Sequence, residues 1–280
     1  MDIHKVEAGL FKLDGGAMFG VVPKTLWQKK YPCDSNNLCT WNMRCLLVEE
    51  GDRLVLIDTG LGDKQSDKFF SYYEPHGEDS LLGSIQKLGY TPNDITDVVL
   101  THLHFDHCGG AVKREGDKLV PTFANATYWS HEDHWAWATN PNPRERASFL
   151  SENILPIQES GQLQLLQGDE NLQLFEGFRF RLANGHTDKQ LIPELDYKGQ
   201  TLVYMADLLP SHVHIPTAWV MAYDTRPLLT MEEKPAFLQE AAEKEFILLL
   251  EHDNMAEACT VMQTEKGVRL KETFPISSVK

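Results

Sequence analysis

Apolar and polar positions first fall into a regular pattern at Arg44-Cys45-Leu46-Leu47-Val48-Glu49 and Arg53-Leu54-Val55-Leu56-Ile57-Asp58, parted by Glu50-Gly51-Asp52. Two β-rich runs on either side of a Gly-containing turn predict a hairpin. Ser80 to Leu88 reads as a helix, and Thr91-Pro92-Asn93-Asp94 carries the signal of another helix start. The compact apolar run Asp97-Val98-Val99-Leu100 predicts a short buried strand. The second half repeats the scheme, with strand-like runs at Phe178 to Leu182 and Gln200 to Met205, a helix from Met231 to Glu245, and the strand Phe246-Ile247-Leu248-Leu249-Leu250. Strands alternate with helices, and no Pro/Gly/Ser-rich linker divides them, so a single α/β domain over residues 1–280 is expected, with two sheet-containing halves. Residues 1–40 form an N-terminal arm in which Gly15 to Pro32 stands apart. Its Met18, Phe19, Leu26 and Trp27 are too apolar for a free tail, while its glycines and prolines disfavour regular structure.

Where the strands end, the chemistry begins. Thr101-His102-Leu103-His104-Phe105-Asp106-His107-Cys108-Gly109-Gly110 places three imidazoles and a carboxylate directly after the predicted buried strand. Such a cluster is expensive to bury unless a cation offsets desolvation and repulsion, so a metal is the economical reading. Alternation puts the rings of His102 and His104 on one side, while Asp106 and His107 lie past the bend and can address a second ion. Gly109-Gly110 permits close backbone approach and a helix start. His186, Asp207 and His252 also follow predicted strands, and strand ends are where α/β folds gather their sites. Cys108, beside a ligand, is read as a small buried structural side chain.

Composition narrows the partners. The chain has 280 residues, 42% of them hydrophobic, and a formal net charge of −15. That charge repels polyanions, so nucleic acid is not an expected partner. The N-terminal residues lack a basic stretch followed by an apolar run, and no window reaches the roughly 18 apolar residues of a membrane span, which predicts a cytoplasmic protein. The five cysteines, Cys33, Cys39, Cys45, Cys108 and Cys259, are scattered and show no CxxC spacing. Reduced thiols are the expectation, with Cys33 and Cys39 close enough in sequence to bridge.

His102-x-His104-x-Asp106-His107, followed by His186, Asp207 and His252, resembles the ordered ligand series of the metallo-β-lactamase superfamily, and Asp58-Thr59-Gly60 resembles its acid-containing turn. The resemblance implies a four-layer αβ/βα sandwich with two divalent ions at one edge. It places His102, His104 and His186 on the first ion, Asp106, His107 and His252 on the second, and Asp207 as the bridge. Imidazoles and carboxylates suit Zn²⁺, and also Mn²⁺, Fe²⁺ or Co²⁺. Two such ions roughly 3.5–4 Å apart can share a hydroxide formed near neutral pH, which serves as the nucleophile, so no serine or cysteine is needed. Asp106 can orient it and carry its proton toward the leaving group, which makes Asp106 and Asp207 the expected catalytic carboxylates.

Within the superfamily, Asp14 to Trp27, Asn42 to Leu47, Gly185-His186-Thr187 and Asp207-Leu208-Leu209-Pro210 are similar to the branch of quorum-quenching N-acyl-homoserine lactonases and methyl-parathion-hydrolase-like enzymes. The implied reaction is opening of a lactone ring, with organophosphate triesters or glyoxalase-type thioesters as alternative substrates. A non-enzymatic metal-binding module is disfavoured by the complete ligand series. Pro210 stands where some lactonases carry a tyrosine close to the substrate carbonyl, leaving His212, Trp219 or Tyr223 to reach the site instead. Met18, Phe19 and Phe105 complete the expected substrate contacts, and Trp135 and Trp137 offer further apolar surface near the ligand-bearing loops. The arm is expected to cover the cleft and to contribute to a homodimer.

Overall fold

The computed structural model describes residues 1–279, whose backbone contacts divide into two compact units. The first comprises residues 1–10, 43–172 and 189–191, and the second residues 11–42, 173–188 and those from Ile192 onward.

Six strands form one sheet, in the order Asp2–Asp14, Leu38–Glu50, Arg53–Ile57, Asp97–Val99, Thr127–His131 and Leu163–Leu166. The predicted hairpin is present, pairing antiparallel from Glu50↔Arg53 to Leu46↔Ile57. Asp97–Val99 runs parallel to both its neighbours, with Val55↔Asp97 and Asp97↔Thr127 in register. A parallel strand buried on both faces is mostly apolar; Val98 and Val99, with Leu100 just beyond them, are fully buried. Because this strand is so short, the chain leaves the sheet and enters the histidine segment at once.

Ser80 caps the Leu81–Lys87 helix, accepting from Gly83 N, and Leu81 and Ile85 join the core formed with Val6, Leu47 and Leu56. No helix forms at Thr91 to Asp94. There the Asp94 carboxylate accepts from Thr91 N (2.7 Å) and Thr91 Oγ1 (2.6 Å), closing a turn. Polar residues that cap helices also close isolated turns, and Thr96 N is already bonded to Leu54 O at the sheet edge. The glycine pair behaves as its composition predicts. A Cβ on Gly109 would lie 2.0 Å from Leu61 O, and one on Gly110 would lie 2.3 Å from Thr59 O.

Seven strands form a second sheet, in the order Gly267–Phe274, Ala258–Thr264, Ile247–Leu249, Gln200–Tyr204, Gln190–Tyr197, Phe178–Ala183 and Gln173–Phe175. Gln200–Tyr204 and Ile247–Leu249 are parallel with Leu202↔Ile247 in register, and the Pro227–Glu243 helix lies between them in sequence. This helix starts earlier than its periodicity suggests, because Pro227 at its first turn supplies a preset φ and loses no hydrogen bond. The arm also departs from expectation: Gly15–Phe19 and Lys24–Trp27 are helical, the first capped by Asp14 accepting from Ala17 N. Burial outweighs propensity here. Met18, Phe19 and Trp27 are at most 1% exposed, and the Phe19 ring stacks on Trp27 at 5.0 Å and on His214 at 4.8 Å.

Lys234 fastens the 212–219 loop to the buried face of the Pro227–Glu243 helix. Its Nζ donates to the carbonyls of Trp219 (2.7 Å), His214 (2.8 Å) and Pro216 (3.2 Å). Burial pushes its pKa from 10.5 down to about 7. Between those values the unfolded chain holds one more proton than the folded one, so this group makes stability rise with pH there and leaves it flat below. The melting temperature of the wild type relative to Lys234→Met is therefore expected to climb as pH is raised from 7 to 10. A difference that falls over this range would contradict the depressed lysine.

Among the described residues no helix is long and apolar enough to cross a membrane. Cys33 and Cys39 are free thiols, like the other three cysteines.

Candidate metal centre

In the first unit the site is built on Asp58. This residue ends the Arg53–Ile57 strand in a left-handed conformation (φ 57°), one that aspartate tolerates better than most side chains. Its Oδ1 accepts from Thr101 N (2.8 Å), and its Oδ2 accepts from Thr101 Oγ1 (2.7 Å) and lies 3.1 Å from His107 Nδ1. One buried carboxylate thus holds both ends of the histidine segment. His102 and His104 do share a side: Nε2 of the first is 3.1 Å from Nδ1 of the second. The other nitrogen of His104 lies 3.4 Å from Glu145 Oε1, and Glu145 is itself held by Trp137 Nε1 (2.7 Å) and Asn142 Nδ2 (2.6 Å). His107 Nε2 is 3.8 Å from Asp106 Oδ2, and the His102 and His107 ring centroids are 3.9 Å apart.

In the second unit three strand ends deliver His186, Asp207 and His252. Gly185, the residue before His186, has no room for a Cβ, which would lie 2.3 Å from Thr230 Oγ1. Glu233 on the same helix accepts from Asn184 N and Gly185 N, fixing the loop. Asp207 is the centre of this group: its Oδ2 is 3.0 Å from His186 Nε2 and its Oδ1 is 3.1 Å from His252 Nε2. Each ring is steadied from behind, His186 Nδ1 by Asp224 Oδ1 (2.9 Å) and His252 Nδ1 by the Asn42 carbonyl (2.8 Å). Burial opposes a charge on His186, but Asp207 and Asp224 outweigh it and raise its pKa to about 10. The surroundings favour positive charge at this point, which a divalent ion would supply in place of the proton.

The donor set fits divalent metal. His102, His104, Asp106, His107, His186, Asp207 and His252 all belong to groups with the donor chemistry to hold an ion. Imidazole nitrogens 2.0–2.1 Å from a tetrahedral ion stand about 3.3–3.4 Å apart, close to the 3.1 Å between His102 Nε2 and His104 Nδ1. The backing bonds from Asp58, Glu145, Asp224 and Asn42 are of the kind that would orient imidazoles toward a bound metal. None of these four partners was visible as such in the sequence. Asp58 alone lay in a recognised turn, and the others are 38 to 210 positions from the ring they support.

The expected substrate contacts scatter. Phe105 is only 6% exposed, covered by Phe69 (5.2 Å, edge-on) and Tyr73 (4.6 Å). Met18 and Phe19 are buried, and half-buried Trp219 meets the Phe19 ring edge-on at 5.9 Å. Tyr223 is exposed, and His212 is half-buried on Asp253. Trp135 belongs to the core, whereas Trp137 serves Glu145. Cys108 is structural, as expected: burial pushes its thiol up to about 12, and its Sγ donates to Leu103 O.

N-acyl homoserine lactonase AiiA from Bacillus thuringiensis subsp. kurstaki is 31% identical over 179 residues, 60% of this chain and 63% of the relative. The chain thus spans less than two thirds of the length of the curated lactonases it matches. A probable metallo-hydrolase of Mycobacterium tuberculosis, Rv2300c, is 38% identical over 112 residues, 37% of this chain and 34% of that protein. The crystal structure of a probable metal-dependent hydrolase from Staphylococcus aureus superposes with a TM-score of 0.88 at 28% identity, covering 100% of this chain and 98% of that one. AidC, described as a dizinc quorum-quenching lactonase, shares the fold with a TM-score of 0.79 at 22% identity, covering 98% of this chain and 95% of its own. The family model for the metallo-β-lactamase superfamily matches residues 44–252. With that match embracing every strand-end histidine and aspartate described above, the chain belongs to the metallo-β-lactamase superfamily.

Proposed function

We propose that this protein is a two-metal lactonase that opens N-acyl-homoserine lactones. In this reading His102, His104 and His186 hold one ion, Asp106, His107 and His252 the other, and Asp207 joins them, with Zn²⁺ the proposed metal. The observation that carries the reading is Asp207, whose two oxygens are each directed at a different histidine (3.0 and 3.1 Å), the arrangement a bridging carboxylate requires. Bound metal supplies an activated water at neutral pH and polarises the substrate carbonyl. The protein's own part is positional. Asp106, 8% exposed beside His107, orients the attacking water and takes its proton. Phe69 and Tyr73, which cover Phe105, offer aromatic surface suited to an acyl chain. The lactonase names among the relatives support this substrate class. A homodimer joined through the arm and a cytoplasmic location complete the proposal.

Elemental analysis of metal-replete protein is expected to return two transition-metal ions per chain, and one or fewer would sink the dinuclear assignment. In a substrate panel read by a pH indicator, N-acyl-homoserine lactones should exceed S-lactoylglutathione, nitrocefin, phosphotriesters and bis-phosphodiesters in kcat/KM. A thioester or phosphotriester ahead of every lactone by tenfold would transfer the assignment to that class.

A further inference from the structure

We propose that His212, held by the buried carboxylate of Asp253, is the catalytic residue that protonates the leaving oxygen of the substrate, an inference that rests on the ester-opening reading above. Asp253 is fully buried. Its Oδ2 accepts from His212 N (2.8 Å) and lies 2.5 Å from His212 Nδ1, while its Oδ1 accepts from Met255 N (2.8 Å) and Ala256 N (3.1 Å). A carboxylate at Nδ1 fixes the ring proton there and leaves Nε2 to take up and give protons, the division of labour in Asp–His acid–base pairs. No partner for His212 Nε2 occurs among the described residues, and the side chain is 21% exposed, against 0% for Asp253.

The dyad is tied to two ligand-bearing loops. Asp253 directly follows His252, and His212 follows Asp207 through Leu208-Leu209-Pro210-Ser211. A histidine two positions on provides the contrast. His214 is 1% exposed, its Nδ1 is 2.7 Å from Ser211 Oγ, and its Nε2 is 2.9 Å from Met18 O. Both of its nitrogens are committed to holding the loop and the arm. His131, another buried histidine, likewise has both nitrogens engaged, with Gly168 O and Asp133 N. His212 differs from both in having a carboxylate behind one nitrogen and the other nitrogen accessible.

The step balances. The water oxygen bonds to the carbonyl carbon, and its proton goes to Asp106. The ring C–O bond breaks, its electron pair passes to the ring oxygen, and that oxygen takes the Nε2 proton of the imidazolium. Solvent then reprotonates the imidazole and deprotonates Asp106. One water is consumed, and ionisation of the product acid releases one proton. Asp253 is a positioning residue in this scheme.

Leaving-group dependence tests it. An alkoxide needs a proton as it departs, whereas an aryloxide does not. His212→Ala and His212→Gln should lower kcat/KM for a lactone, and for an acyclic alkyl ester, by ~10²–10⁴-fold, while hydrolysis of an aryl ester with the same acyl group and the metal content stay within a few-fold of wild type. Asp253→Asn should show the same selectivity to a smaller degree and lose the downfield Nδ1–H proton resonance of His212. Equal losses on alkyl and aryl esters would overturn the proposal by making His212 structural, and unchanged lactone turnover would overturn it directly. Wild-type protein that hydrolyses alkyl esters but no lactone would refute the lactonase reading alone, and the ester pair would still decide the role of His212.

Discussion

Asp207→Ala is expected to lose turnover by well over ~10²-fold and to bind less metal, while remaining folded. Removing an outer partner of a metal ligand typically costs about 10–100-fold in affinity or activity. In the proposed reading Asp207 stands inside that layer, and it is 6% exposed, with His186 Nε2 and His252 Nε2 on its two oxygens. Its deletion therefore disturbs two rings at once and should exceed the outer-shell range. The fold should survive because Asp207 lies in the short Ala206–Leu208 turn beyond the Gln200–Tyr204 strand, not within the sheet. Circular dichroism, elemental analysis and lactone turnover on one preparation make the comparison. A near-normal rate would remove Asp207 from the mechanism.

Asp58→Ala should show a different signature, a loss of stability accompanied by loss of metal. The carboxylate is fully buried and serves Thr101 N, Thr101 Oγ1 and His107 Nδ1. Deleting a buried charged acceptor strands its partners, at a cost of about 3–5 kcal/mol. Alanine is also strained at the φ of 57° that Asp58 adopts. Asp58→Asn separates the two effects, because asparagine tolerates this backbone and can still accept hydrogen bonds while losing the charge facing His107. It should recover most of the stability yet bind metal about 10–100-fold more weakly. Urea unfolding of the metal-free proteins and metal titration read the two quantities separately. Metal affinity equal to wild type in Asp58→Asn would show that the charge does not tune His107.

Several features were legible because their causes are local. Two β-rich apolar runs and a glycine turn gave the hairpin, and the short apolar run Val98-Val99-Leu100 gave the buried parallel strand. Where local signals were ambiguous, tertiary contacts decided. Thr91-Pro92-Asn93-Asp94 has the residues of a helix cap but closes a turn, since Thr96 is drawn onto the sheet edge at Leu54. Gly15 to Trp27 looked irregular by propensity and became helical once Asp14 capped it and Met18, Phe19 and Trp27 were buried.

By itself the sequence determined the donor chemistry and its placement just after strands, because residue types and short spacings are written along one chain. Only the tertiary structure decided which nitrogen of each histidine is backed by an oxygen and which is left facing another donor. It decided that Asp207 divides its oxygens between two rings, that Phe105 lies under Phe69 and Tyr73, and that His212 hangs on Asp253 while His214 is locked in place. These pairings join residues up to 210 positions apart. Such contacts leave no periodicity in the chain, since they are selected by packing and by the need to satisfy every buried polar group.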